Sequence, residues 1–309
     1  MREIVMTRLA AILMTTLLAT PAFAESKISF LVAQRGDPFQ DLIVTAVSGA
    51  AQSDPTLSVS VENADKDPAR QIALGQAAIA AKAAALMIIP VSTESAAILA
   101  EAAGKAGVPL VFVNNRPQIG PSGGKAVFVS SNDLVAGRVQ MRLIVDKLGG
   151  QGTVAILRGT DTETASVERT AGGKEILASS PGITLVSEAS ANWKRQEAQE
   201  QVAAWLKGGR KIDAIAANND EMALGAIAAI KAAGLSGRIL VGGVDATKEG
   251  VAAVGSGDML LSVYQDARMQ GSQALADAGK LAKGEYVQRY DWVPFELVIA
   301  ENAKHYSAR

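Results

Sequence analysis

Ile212-Asp213-Ala214-Ile215-Ala216-Ala217, running into Asn218-Asn219-Asp220-Glu221-Met222-Ala223-Leu224-Gly225, is the stretch whose reading decides the fold. The first six residues are short and mostly apolar, the pattern of a buried strand. From Glu221 to Ala233 the chain is Ala-rich, with Leu224, Ile227 and Ile230 at helical spacing. Gly234 stands where a glycine commonly ends a helix, and Lys231 falls in the last turn. Asn219 or Asp220 can cap the helix start, because a short side-chain oxygen accepts an otherwise unpaired backbone N–H there. The whole reads as strand, polar turn, helix. In open α/β sheets such a turn is where ligands bind. An amide there can both donate to and accept from a hydroxyl, or Asn218-Asn219 can be a cap and nothing more.

The same plan recurs outward along the chain. Ala85 to Val113 is a strand, a polar turn, a helix ending Lys105-Ala106-Gly107 and a strand, as Ile212 to Val244 is. Strand-like runs fall at 27–33, 57–61, 127–131, 153–157, 183–187, 260–264 and 293–299, with helical patterns between them. Asp67-Pro68 reads as an N-cap followed by proline in the first turn. The helix before Ile183 is expected from Arg169 to Ala178, after a polar loop from Gly159 to Ala165. Such alternation predicts parallel sheets with helices on both faces. Two halves of similar plan predict two lobes with facing sheet ends. No linker rich in Pro, Gly or Ser separates them, so the chain is expected to cross more than once in extended segments.

The chain has 309 residues, 49% hydrophobic and 20% charged, and a net charge of -1. That balance gives no basic surface for nucleic acid and no excess for an anionic membrane. Residues 1–24 carry Arg2 and Arg8, an apolar run from Leu9 to Ala19, and a small-x-small end at Ala22-Phe23-Ala24. These are the parts of a secretory signal peptide, with Glu25 expected to begin the mature chain. The chain has no Cys, which excludes disulfides and a lipoprotein anchor, so a packed core must supply stability.

Several chemistries find no residues to support them. There is one His, His305, near the end, which leaves a His triad or His metal site without partners. Asn63, Asp65 and Asp67 alternate like the start of a calcium loop, but Pro68 and Leu74 occupy the positions that need Gly and Glu. Gly123-Gly124 and Gly242-Gly243 belong to no phosphate-binding motif and read as turn and close-packing glycines. No cofactor is expected. Asp37, Asn114, Arg116, Arg169, Asn219, Asp245 and Gln265 instead fall at predicted strand ends or helix starts. Carboxylate and guanidinium groups hydrogen-bond several hydroxyls at once in fixed planes. Phe39 and Trp193 add flat apolar faces, and small-molecule sites combine such walls with a few placed polar groups.

These residues resemble a known family. The chain is similar, over about residues 25 to 309, to periplasmic sugar-binding proteins of the ribose-binding type, the substrate-binding components of ABC importers. Asn219-Asp220-Glu221-Met222-Ala223-Leu224-Gly225 is the most specific piece. Asp37-Pro38-Phe39, Val108-Pro109 leading to Asn114, Glu168-Arg169, Gly243-Val244-Asp245 and Gln265 add to it. The resemblance implies an α/β fold of two doubly wound parallel-sheet lobes joined by a multi-segment hinge, with the ligand cleft between them. It implies a first lobe of 25–131 plus 266–294 and a second of 132–265 plus 295–309. It implies ligand contacts from Asp37, Phe39, Gln40, Asn114, Arg169, Trp193, Asn219, Asp245 and Gln265, and from Asn115 or Arg116 at the position of a family Arg. Gln40 replaces a second aromatic, Ile89 an Asn, Val244 an aromatic and Ala33 a Ser, so the pocket is similar in plan to a ribose pocket but different in detail. Val113-Asn114-Asn115-Arg116-Pro117 resembles inositol- and rhizopine-type binders.

The function expected is a non-catalytic periplasmic binder of a monosaccharide or cyclitol that delivers it to a membrane permease. The alternative is a sensor that presents its bound form to a membrane chemoreceptor or sensor kinase. A repressor with this sensor fold would need a DNA-binding segment where the signal peptide stands.

Overall fold

The computed structural model describes residues 25–119 and 126–307. The expected signal peptide, residues 1–24, and Gly123-Gly124 lie outside the described residues. The apolar runs become the strands of two sheets. The first has six strands in the order β11 (Tyr290–Trp292), β5 (Val127–Ser130), β4 (Leu110–Val113), β3 (Ala85–Ile88), β1 (Ser26–Val32) and β2 (Leu57–Asn63), paired in parallel throughout. Helices α1 (Pro38–Ser53), α2 (Pro68–Ala80), α3 (Thr93–Ala106) and α9 (Ala267–Ala282) cover it. Successive strand residues point to opposite faces. Phe30, Met87 and Val111 therefore pack with Ile43, Val47 and Leu275 on one side. Leu31, Leu86 and Phe112 pack with Leu99 and Ala103 on the other. Burial on both faces is why these strands read as unbroken apolar runs.

The second sheet runs β7 (Ile183–Ser190), β6 (Gly152–Arg158), β8 (Ala214–Ala217), β9 (Leu240–Gly242). Bridges at Gly242–Leu261 and Asp245–Tyr264 attach β10 (Ser262–Tyr264), which pairs antiparallel with β12 (Glu296–Val298). That antiparallel pair departs from the all-parallel expectation. Helices α4 (Asp133–Lys147), α5 (Thr164–Ala178), α6 (Arg195–Lys207), α7 (Asp220–Ala232), α8 (Lys248–Ser256) and α10 (Ala303–Tyr306) complete this lobe. Its core again has two faces, one around Leu157, Ile215, Met222 and Trp205 and the other around Ile144, Ile156, Leu261 and Val263.

Two further expectations are corrected. In place of one last strand over 293–299, the chain forms β11 just before that range and β12 within it, and the two belong to different sheets. Pro294 carries no N–H for a ladder, and the chain changes sheet there, after the Val293 N–H donates to the Ser130 carbonyl at 3.0 Å. Helix α5 begins at Thr164, five residues before Arg169, so Arg169 lies inside a helix and not at its start. The chain passes between the sheets at three places: between β5 and α4, between β10 and α9, and between β11 and β12.

Candidate functional site

The carboxyl ends of the two sheets face each other across a cleft of about 520 Å³. The first lobe contributes Asp37, Phe39, Gln40, Asn114 and Asn115, the second Arg169, Trp193, Asn219 and Asp245, and Gln265 stands at a crossing. Arg116 does not line it. Its guanidinium pairs with Glu168 of α5 and lies 5.3 Å from the Trp292 ring centre. Pro38, Glu163, Ala165, Glu221 and Thr247 also line the cleft and were not anticipated. Glu163 and Thr247 sit at helix N-caps, a signal that an exact reading of the α5 and α8 starts would have supplied.

Helix caps place several of these groups. Asp37 Oδ1 accepts from the Phe39 and Gln40 N–H groups at 3.0 and 2.9 Å, which starts α1 and leaves its second oxygen to the cleft. Asn219, not Asp220, caps α7 by accepting from Met222 N–H at 3.0 Å. Its Nδ2 donates to no protein group among the described residues. Asp220 is a buried bracket instead. It accepts from Thr247 N–H at 2.7 Å, Thr247 Oγ1 at 3.1 Å and Ser262 Oγ at 2.6 Å, and so ties α7 to the turn before α8 and to β10. Gly243 and Gly250 are needed against it, since a Cβ at either would fall 2.3 or 2.0 Å from an Asp220 oxygen. Burial raises its carboxyl to about 7, against these hydrogen bonds.

Arg169 is 5% exposed and held from several sides. Its Nε donates to Asp133 at 2.8 Å, and its Nη1 to the Asn218 carbonyl at 2.7 Å and Asp245 at 3.5 Å. The Trp193 ring centre is 5.7 Å from the guanidinium carbon. Burial disfavours the charge, but Asp133 and Asp245 more than offset this and hold the guanidinium pKa above its ordinary value. Nη2 is left without a protein acceptor among the described residues. Burial pushes the Asp245 carboxyl well up, with Arg169 opposing and Asp220 and Asp37 adding like charge. Asp133, the first residue of α4, gave no signal in the sequence, because its partner lies 36 residues away.

A polar chain ties the crossings together. Asn114 Nδ2 donates to Gln265 Oε1 at 3.2 Å and Gln270 Oε1 at 3.3 Å. Gln265 Nε2 donates to Asp245 at 3.2 Å, and Gln270 Nε2 to Ser131 Oγ at 3.1 Å. Asn114, Trp193 and Asp245 all have left-handed backbone, with φ of 66°, 65° and 112°. Such conformations cost on the order of 1–3 kcal/mol for residues with a side chain and collect at ligand sites. All three residues line the cleft. No group of His, Cys, Asp and Glu among the described residues is arranged to hold a metal ion.

Comparison with known proteins places this geometry. The periplasmic binding protein domain matches residues 28–286. A protein of Rhizobium meliloti provisionally named a rhizopine-binding protein is 37% identical over 95% of this chain and 96% of its own length. The ribose import binding protein of Haemophilus influenzae is 29% identical, with 94% of this chain and 97% of that protein covered. An ABC transporter solute binding protein from Bacillus halodurans C-125, solved with bound myo-inositol, superposes with a TM-score of 0.89 at 31% identity, covering 94% of this chain and 99% of that one. With its two doubly wound lobes, its facing strand ends and a match over most of its length, the chain belongs to the periplasmic binding protein family.

Proposed function

We propose that the protein is the periplasmic substrate-binding component of an ABC importer, that it takes a cyclitol or monosaccharide between its lobes, and that it hands the ligand unchanged to a membrane permease. The observation that carries a cyclitol ahead of ribose is the similarity to the Bacillus halodurans protein with bound myo-inositol. The geometry supports it. Asp37, Asn114, Arg169 and Asn219 each keep one polar atom without a protein partner among the described residues, on both sides of the cleft. Phe39 and Trp193 give the flat apolar walls that a ring's C–H faces need. Sheet membership supports lobes of 25–131 plus 266–294 and 132–265 plus 295–309. Presentation to a chemoreceptor has no support among the relatives, which are named for import or ligand binding.

A thermal-shift screen of cyclitols, aldoses and polyols tests this. A true ligand at 100 times its Kd adds about 2.7 kcal/mol of stability. Myo-inositol or a close isomer is expected to give the largest shift among neutral ligands and to be recovered unaltered after incubation. If no compound of these three classes stabilises the folded mature protein, the reading fails.

A further inference from the structure

We propose that Gln270, which does not line the cleft, is a positioning residue: with Gln265 it fixes which way the Asn114 amide faces, so that Asn114 offers a bound ligand an oxygen acceptor and no N–H. This rests on the cyclitol or monosaccharide reading above and adds the hydrogen-bonding sense of one wall of that site.

The donors and acceptors of three amides fit together here in one sense only. A primary amide has two N–H hydrogens and one carbonyl oxygen, and either end can meet a hydroxyl unless its surroundings decide. The decision begins at Arg169, whose guanidinium can only donate. Its Nη1 faces Asp245 Oδ1 at 3.5 Å, so that oxygen accepts. Gln265 lies 3.2 Å from the same oxygen and has to present Nε2 to it. Its Oε1 is thereby turned toward the crossings, where Gln270 Nε2 donates at 3.1 Å and Asn114 Nδ2 at 3.2 Å. Gln270 Nε2 also donates to Ser131 Oγ at 3.1 Å, which leaves Gln270 Oε1 to accept from Asn114 Nδ2 at 3.3 Å. Both hydrogens of Asn114 Nδ2 are then used. Its Oδ1, without a partner among the described residues, is what remains for the cleft.

Gln270 closes this relay from outside the site. It is fully buried on α9, and its three hydrogen bonds go to Gln265, Asn114 and Ser131. Leaving any of these buried groups unpaired costs more than the bond itself contributes, so Asn114 is held in this orientation as long as Gln270 can both donate and accept. A ligand hydroxyl that meets Asn114 has to donate to it. A substituent that can only accept meets a lone pair there.

Two measurements test this. The first needs no ligand. In a nitrogen-15 spectrum of the free protein, the Asn114 side-chain amide, assigned by its loss in Asn114→Ser, is expected to exchange slowly with water. In Gln270→Met, a near-isostere with no strong donor or acceptor, it is expected to exchange faster. The second is calorimetric titration with myo-inositol and its singly deoxy and deoxyfluoro derivatives, since fluorine accepts weakly and cannot donate. In wild type, one ring position is expected at which fluorine binds no better than hydrogen. Gln270→Lys, whose side chain only donates, should draw Asn114 Oδ1 inward and turn Nδ2 to the cleft. At that position alone, fluorine should then bind more tightly than hydrogen, a change in their ratio of roughly tenfold. A melt checks folding, and if the lysine variant does not fold, Gln270→Met is expected to move the same ratio in the same direction by less. An Asn114 amide that exchanges in wild type as fast as an exposed one overturns the proposal. So does a ratio that stays the same in the folded variant. If the amide is protected as expected but no cyclitol derivative binds, the orientation of Asn114 stands and the ligand reading of the preceding section falls.

Discussion

At residue 220 a buried carboxyl sits where the sequence offered a choice of two caps. An unfolded Asp titrates near 3.9, whereas burial holds Asp220 at about 7. The folded protein therefore binds this proton more tightly than the unfolded chain does. The stabilisation is fully present below about pH 4 and is lost as the pH rises through about 7. Other carboxyls shift too, so the informative quantity is the difference from a variant. Asp220→Asn keeps the shape, accepts from Thr247 N–H through its carbonyl and donates to Ser262 through its amide, but it does not titrate. Urea unfolding of both proteins at pH 5 and pH 8 should show wild type losing a few kcal/mol relative to the variant at the higher pH. A difference that is the same at both pH values would count against it. The sequence did put Asp220 beside the site. It did not show the three donors, because Thr247 and Ser262 lie 27 and 42 residues away.

At the scale of elements, much was legible because local rules and burial agree. The Asp67-Pro68 start of α2, the strand runs before 293–299 and the Gly234 stop of α7 are present, with Gly234 at φ 69°. The misses lie where a distant partner decides. The left-handed backbone of Trp193 has no signature in its neighbours, and β11 exists because β5 offers an edge. The approach of α4 to α5 is another such case. A Cβ at Gly137 would fall 1.9 Å from the Arg169 carbonyl oxygen, and one at Gly172 would fall 2.1 Å from the Leu134 oxygen. Ala ordinarily adds about 1 kcal/mol over Gly in a helix interior. Gly49, on α1 with open space around its missing Cβ, is expected to show that gain. Gly137→Ala is expected to reverse the sign, costing about 1–3 kcal/mol as the helices are forced apart. It should also weaken ligand binding, since α5 carries Arg169. Chemical denaturation of the two variants side by side checks both signs, and equal gains would show that α4 and α5 are free to separate.

For the whole molecule, the question is what holds the lobes together, and Arg116 answers it better as a latch than as a ligand contact. It stands between β4 and β5 and pairs with Glu168 on α5, while Trp292 on β11 covers its guanidinium. The pair is a quarter or less exposed on each side, so water screens it only in part. Burial raises the Glu168 carboxyl and Arg116 pulls it back. A partly shielded pair of this kind contributes on the order of 1 kcal/mol. Because it links the two lobes, that energy belongs to the closed arrangement and is absent from any opened one. Apparent affinity scales with the fraction of molecules able to close. Glu168→Gln should therefore weaken ligand binding by roughly fivefold although Glu168 does not line the cleft, with the change mainly in dissociation rate. The ligand-free variant should have a larger radius of gyration than wild type in small-angle scattering, and saturating ligand should bring both to the same value. Raising salt should weaken wild type more than the variant, because only wild type has the pair to screen. An unchanged radius together with unchanged affinity would mean that the polar chain through Asn114, Gln265 and Gln270 holds the lobes without help from Arg116.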